Sequence, residues 1–398
     1  MRKLFAKTPK WLKIALIPFI LYVIWNIIGL ILVEINLVKK FPVGFNTVIT
    51  NEDDDYDGSK ADFDGPYILY SENKTFIKKV LRKDTLVFAQ IDTIYGSIKG
   101  REIKCYVNNN ISFSTYIKDT LINEPSIYTS TQKLMALSDI EGDFEAFTKM
   151  LINNNVIDKD YNWIFGKGDL VLNGDFFDRG LNVTECLWLI YSLEQQAKEQ
   201  GGKVHFILGN HEIMNMNNDL RYVRNKYIEN ASLIKENYSE LYQPNTELGR
   251  WLQTKNIVEK IGNYLFVHAG ISEELNKLHL PIESINSIAR KFYFKSEEAR
   301  NGADKTASTI YHFKNSPFWY RGYAKEQINK DDLQNILQNY KVEKVIIGHT
   351  VTENVKYIYD KKIINIDTKH SEGNSQGLLV ENGKEFRIDI NGNKFEIQ

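Results

Sequence analysis

From about residue 130 the chain repeats one local pattern, and that pattern limits the folds open to it. A short apolar run ends on an acid, amide or imidazole close to glycine, and a longer stretch with helical spacing commonly follows. The runs are KLMALSDI (133–140), DLVLNGD (169–175), KVHFILGN (203–210), YLFVHAG (264–270), KVIIGHT (344–350) and IINIDT (363–368). Short runs this apolar read as strands buried on both faces, hence parallel strands covered by helices. FEAFTKMLINNNV (144–156) and VTECLWLIYSLEQQAKEQGG (183–202) have the length and spacing of such helices. The fold class is therefore α/β, with ligands expected at the carboxyl ends of the strands.

Five of the strand ends, SDIEGD, NGDFFDRG, GNHE, VHAG and IGHT, carry residue types that bind metal ions. Carboxylates bridge hard divalent ions, amide oxygen and imidazole fill out a borderline site, and no thiol takes part. A single histidine after a strand is more often structural. Five such ends in one order point to one site, and the neighbouring glycines let the backbone turn sharply beside a ligand. Elsewhere, His205 lies within an apolar run and reads as a strand residue facing a neighbour. His370, in IDTKHSEG, reads as a loop residue in solvent.

The N-terminal third is organised differently. Residues 14–33, IALIPFILYVIWNIIGLILV, contain no charged side chain. A helix of about 20 residues spans roughly the 30 Å hydrocarbon thickness of a bilayer. No small-residue cleavage site follows, so an uncleaved anchor is expected rather than a signal peptide. Arg2, Lys3, Lys7, Lys10 and Lys13 precede this run, and only Lys39 and Lys40 closely follow it. The bias places residues 1–13 in the cytoplasm and everything after the span outside it, on a single-pass protein of the cytoplasmic membrane. Residues 34–65, with the acidic run NEDDDYDGSKADFDG, read as a linker. Residues 66–129 alternate apolar and polar in short runs and read as a small β-rich module before a catalytic domain at 130–398.

Charge excludes one class of partner. The chain has 50 Lys and Arg against 51 Asp and Glu, which argues against a broad basic surface for nucleic acid. The two cysteines, Cys105 and Cys186, have no metal-motif spacing. Both fit small buried hydrophobes, and a single bridge between them remains open.

The ordered strand-end motifs resemble the calcineurin-like metallophosphoesterases, and most closely their phosphoprotein-phosphatase branch. NGDFFDRG and LGNHE carry the resemblance, with VHAG and IIGHT, across roughly residues 131–382. SPFWYRGY (316–323) is similar to the phosphate-binding arginine segment of the bacterial, Shewanella-like group. The resemblance implies a central β-sandwich flanked by helices, with two divalent ions at one edge. Manganese is the expected metal, with iron, zinc or magnesium as alternatives. It implies that Asp139 and Glu141 bind the first ion, that Asp175 bridges both, and that Asn210, His268 and His349 complete the second. It further implies that Arg179 and Arg321 clamp a phosphate and that His211 protonates the leaving group, positioned by Asp178, and it sets His370 near the family's substrate-facing tyrosine as the alternative to a solvated loop residue. A metal-bridging hydroxide would then attack a phosphate monoester in line.

One departure stands out. The family reads GDxHG where this chain reads SDIEG, so Glu141 replaces a histidine. Either Glu141 is a substitute ligand, or the first metal position is lost and the protein is a non-catalytic phosphate binder. The first reading is favoured because glutamate is a competent ligand and every other position is kept. The expected function is a membrane-anchored metal-dependent phosphomonoesterase resembling a Ser/Thr or Tyr protein phosphatase. A phosphatase of nucleotides or other small phosphoesters is the alternative.

Overall fold

The computed structural model describes residues 58–398, together with residues 22, 23, 25–27, 40–43 and 47–50. The chain divides into two compact units, Met1–Ser59 and Lys60–Gln398. In the first, Lys40–Val43 pairs antiparallel with Thr47–Thr50, so part of the stretch expected as a linker is a hairpin. The expected membrane span at 14–33 lies largely outside the described residues, as do the acidic residues 51–57. Among the described residues no helix is long and apolar enough to cross a membrane.

Two six-stranded sheets organise the second unit. The first contains β1 (Lys133–Leu137), β2 (Asp169–Leu172) and β3 (Lys203–Phe206), paired in parallel with β2 central. The second contains β4 (Tyr264–Val267), β5 (Lys344–Ile347) and β6 (Ile363–Asn365), also paired in parallel. Side chains alternate across each strand. Leu134, Ala136 and Val171 of the first sheet meet Phe266, Ile346 and Ile364 of the second in one cluster between the sheets. Met135, Leu137, Leu170 and Leu172 belong instead to a larger cluster containing Phe147 and Trp188 of the covering helices. Both faces are therefore buried, which accounts for the uninterrupted apolar runs. The architecture is the helix-flanked β-sandwich that the resemblance implied.

Residues 66–129 form short antiparallel strands as their alternation predicts: a meander over Asp64–Ser71, Lys74–Lys83 and Leu86–Tyr95, then a hairpin of Glu102–Tyr106 and Ser112–Tyr116. They share the larger domain's core rather than standing apart from it. Tyr67, Ile103 and Cys105 join the cluster of Trp188. Trp188 Nε1 donates to the Pro66 carbonyl at 2.9 Å, and Tyr70 N donates to the Asn245 carbonyl at 2.8 Å. Residue 129 is therefore not a break in the fold. Apolar alternation gives one buried face to each short strand, and that face needs a neighbour to cover it.

Candidate active site

The parallel pairing brings the carboxyl ends of β1 to β3 to one edge of the first sheet and those of β4 to β6 to one edge of the second. The loops that follow carry the chemistry. Six non-glycine residues there have left-handed backbone: Asp139, Glu141, Asp175, Asp178, Arg179 and His349. That conformation is disfavoured for side chains bearing a Cβ and persists only where surroundings enforce it. Here the loops brace one another. Asp139 N donates to the Gly174 carbonyl, Glu141 N to the Asp175 carbonyl, and Gly180 N to the Glu141 carbonyl, all at 2.8–2.9 Å. Gly174 is needed where the β2 loop passes β3 and β4. A Cβ there would lie 2.7 Å from both the Gly209 backbone and His268 Nδ1.

Glu212, which the sequence reading left without a role, is the central brace. Its buried carboxylate accepts from Gly209 N at 2.7 Å, Asp175 N at 2.9 Å and Phe176 N at 2.7 Å. Burial and nearby Asp175 push its carboxyl up to about 7 against the pull of these amides. The last residue of the GNHE motif thus ties the loops after β2 and β3 together.

Asp175 is the hub. Its Oδ2 lies 3.0 Å from His268 Nε2 and 3.9 Å from His211 Nε2, while its Oδ1 accepts from His211 N at 2.9 Å. Burial would raise its pKa, but His268 and His211 outweigh burial and hold the carboxyl well below the usual range. His268 Nδ1 donates to the Asn173 carbonyl at 2.8 Å, which leaves Nε2 to face the site as a metal-binding histidine would. The Asn210 amide oxygen lies 3.1 Å from His268 Nε2, 2.8 Å from His349 Nδ1 and 3.3 Å from Asp175 Oδ2. Four lone-pair groups converge there. A cation reconciles them, as would turning the amide so that its NH2 donates. Among the described residues His349 Nε2 has no hydrogen-bond partner though it is buried, and burial, aided by His268, keeps its imidazole neutral. The donor set suits a divalent cation in its oxygen and imidazole chemistry. Ligand atoms of Asp175, His268 and His349 lie within 4.8 Å of one another, and so do those of Glu141, Asp175 and His211.

Asp139 is buried beside them. Its Oδ2 accepts from Ser138 Oγ at 2.5 Å and from His349 N at 3.1 Å. Burial pushes its carboxyl up to about 6; His268 opposes this and Asp175 adds to it. Glu141 pairs with Arg179, a contact that sequence spacing did not suggest. The Arg179 guanidinium also lies 5.4 Å from the Tyr222 ring centroid. Arg321 is exposed, lines the same cavity, and forms no salt bridge among the described residues. His211 Nδ1 lies 2.6 Å from Asp178 Oδ2, and Asn215 Nδ2 donates to Asp178 Oδ1 at 3.0 Å. Tyr238 in turn donates to Asn215 Oδ1 at 2.8 Å.

The cavity they line holds about 520 Å³. Cavities of about 600 and 470 Å³ occur elsewhere but have no such convergence of metal-binding groups. His370 is buried rather than solvated, with Nε2 donating to the Ser138 carbonyl at 3.0 Å, and burial holds its pKa down to about 4. His205 faces a neighbour as expected, Nδ1 lying 2.7 Å from Glu259. Cys105 and Cys186 are both buried and free.

A helix-flanked β-sandwich with carboxylates, an amide and imidazoles gathered at its edge defines a class, the metal-dependent phosphatases. The model of the calcineurin-like phosphoesterase family matches residues 132–353, more than half of the chain, and the chain belongs to that family. It is similar to Shewanella-like protein phosphatase 2 of Arabidopsis thaliana, 26% identical over 77% of this chain and 86% of the relative. Shewanella-like protein phosphatase 1 of Plasmodium berghei is 29% identical over 55% of this chain and 61% of that protein. Among solved structures, a cold-active protein-tyrosine phosphatase of a psychrophilic Shewanella species superposes with a TM-score of 0.77. It is 33% identical, covering 85% of this chain and all of that one. The protein is accordingly a metal-dependent phosphatase with Shewanella-like relatives.

Proposed function

We propose that the chain is a dinuclear phosphomonoesterase acting on phosphoproteins, anchored in the cytoplasmic membrane with its catalytic unit outside the cytoplasm. The observation that supports this most is the joining of three groups around one cavity: the Asp175–His268–His349 donor set, the His211–Asp178 pair and two arginines. Asp139, Glu141 and Asp175 would hold the first ion, and Asp175, Asn210, His268 and His349 the second. When bound, the ions supply Lewis-acid polarisation and an activated water.

The chain's own residues do the rest. Arg179 and Arg321 bind the phosphoryl oxygens and orient the phosphorus for in-line attack. For Arg179 this requires release from Glu141. His211 carries the proton for the leaving oxygen on Nε2, the nitrogen facing Asp175, while Asp178 fixes Nδ1. Tyr222 and Trp319 line the same cavity and give an apolar wall suited to a phosphorylated side chain. The names of the relatives support a phosphoprotein substrate, and the basic excess before residue 14 supports the orientation.

Turnover of phosphoserine, phosphothreonine and phosphotyrosine peptides beside nucleotides tests the substrate, and preference for nucleotides would overturn it. An alkaline phosphatase fused after Gln398 should be active on the outer face. Activity only in the cytoplasm would refute the orientation.

A further inference from the structure

The loop that carries Arg179 is gripped by one segment of chain, residues 222–227. Arg179 N donates to the Tyr222 carbonyl at 3.2 Å. Three successive loop carbonyls then each accept from a side chain of that segment. Arg224 Nη1 donates to the Arg179 carbonyl at 3.1 Å, Tyr227 Oη to that of Gly180 at 3.2 Å, and Lys226 Nζ to that of Leu181 at 2.5 Å. Tyr227 Oη also accepts from Val183 N at 2.9 Å. Lys226 and Tyr227 are 4% and 1% exposed, and both lie in the first turn of the helix Asn225–Leu233. Burying an ammonium group is costly unless it is well partnered, and here a backbone carbonyl of the arginine loop is one of its partners.

The loop needs such a hold. Asp178 and Arg179 both have left-handed backbone, which persists only where neighbours enforce it. The Arg179 side chain is half exposed, so the backbone rather than packing aims its guanidinium. Because the grip falls on backbone atoms, the side chain can turn from Glu141 to a phosphate while the loop stays in place.

The same helix is tied to the residues that lead into the N-terminal meander. Ala61 N donates to Glu229 Oε2 at 2.7 Å and Asp62 N to Asn230 Oδ1 at 3.2 Å. Asn230 is fully buried and donates in turn to Asp64 Oδ2 at 3.0 Å. Lys78 Nζ, from the second strand of the meander, donates at 3.0 Å to the carbonyl of Ile234, which caps the helix. One helix therefore joins the N-terminal strands to the arginine loop.

We propose that Lys226 and Tyr227 are positioning residues for Arg179, and that the N-terminal meander, by seating their helix, sets how tightly the site holds phosphate. The assignment rests on the reading of Arg179 as a phosphate clamp given above.

The test is the inhibition constant of inorganic phosphate against p-nitrophenyl phosphate, measured on the full manganese-loaded chain beside its metal content. Arg179→Ala should raise the constant about tenfold. Tyr227→Phe and Lys226→Met keep the buried ring or stem and lose the donor, and each should raise it about three- to fivefold with metal content unchanged. Glu229→Ala, a change at a half-buried residue that cuts the tie to Ala61, should raise it about twofold. In the Arg179→Ala background none of the three should raise it further, because a residue acting through Arg179 has nothing left to place. Equal effects in both backgrounds, or loss of metal, would show a merely structural role and overturn the proposal. So would an unchanged constant in Tyr227→Phe, which removes one oxygen from a buried ring and carries the test alone if Lys226→Met does not fold. An unchanged constant in Glu229→Ala would overturn the part given to the meander. If Arg179→Ala left phosphate inhibition unchanged, the clamp reading itself would fall, a result distinct from additive effects, which would sink only the positioning role.

Discussion

Changing Asp178 to Asn isolates the proton-transfer machinery from the metal ligands. The carboxylate sits 2.6 Å from His211 Nδ1 with both groups buried, so the contact is a charge-assisted hydrogen bond when the imidazole is protonated. Such bonds contribute about 1.5–3 kcal/mol, and at about 1.4 kcal/mol per decade the loss corresponds to roughly 10- to 100-fold in rate. Asn215, held by Tyr238, can still bond the substituted side chain, so the loop should keep its shape. Burial alone would lower the His211 pKa, but Asp175 and Asp178 outweigh it and leave it raised. The proton is present below that raised pKa and is lost as pH rises through it. Cations bound to Asp175 would screen its share, leaving Asp178 as the main support. Asp178→Asn should therefore move the alkaline limb of the kcat profile to lower pH. The assay compares phenyl phosphate, whose leaving group needs a proton, with p-nitrophenyl phosphate, whose leaving group needs little. The expected loss in kcat falls mainly on phenyl phosphate, and His211→Asn should show the same selectivity more strongly. Equal losses on both substrates, or an unmoved alkaline limb, would refute the assignment of His211 as general acid.

Glu212→Ala should destabilise the protein by roughly 3–5 kcal/mol, because three buried amides lose their acceptor and each orphaned donor costs about 1–3 kcal/mol. Denaturant unfolding of the metal-free chain measures this, and a loss below about 1 kcal/mol would contradict the bracing role. Arg321→Ala should weaken competitive inhibition by inorganic phosphate roughly tenfold while leaving metal content unchanged, the lower end of the range for a charged hydrogen bond at an exposed residue. An unchanged inhibition constant would place Arg321 outside the phosphate site.

The strand ends were legible because burial on both faces writes itself as uninterrupted apolar sequence, and the candidate metal-binding residues follow at once. Asp139, Asp175, Asn210, His268 and His349 fall together for that reason. What supports them was not legible. Glu212 acts through three backbone amides from two separate loops, and His268 is oriented by the carbonyl of Asn173, an atom every residue possesses. The chain from Tyr238 through Asn215 to Asp178 joins positions whose side chains have no shared pattern in the sequence. The union of residues 66–129 with the main core was hidden because alternation reveals a buried face without naming its cover. The pairing of Glu141 with Arg179 arises from two left-handed loop residues, a conformation that sequence does not announce outside glycine.

The central claim is that this cavity is a two-ion phosphatase centre, and the direct measurement is metal stoichiometry paired with turnover on one sample. The full chain is stripped with chelator, reloaded with manganese, and assayed on p-nitrophenyl phosphate as ions are added back. The expected result is no turnover in the stripped protein and recovery that reaches its maximum at two ions per chain. Undiminished turnover after complete stripping, or full recovery at a single ion, would contradict it.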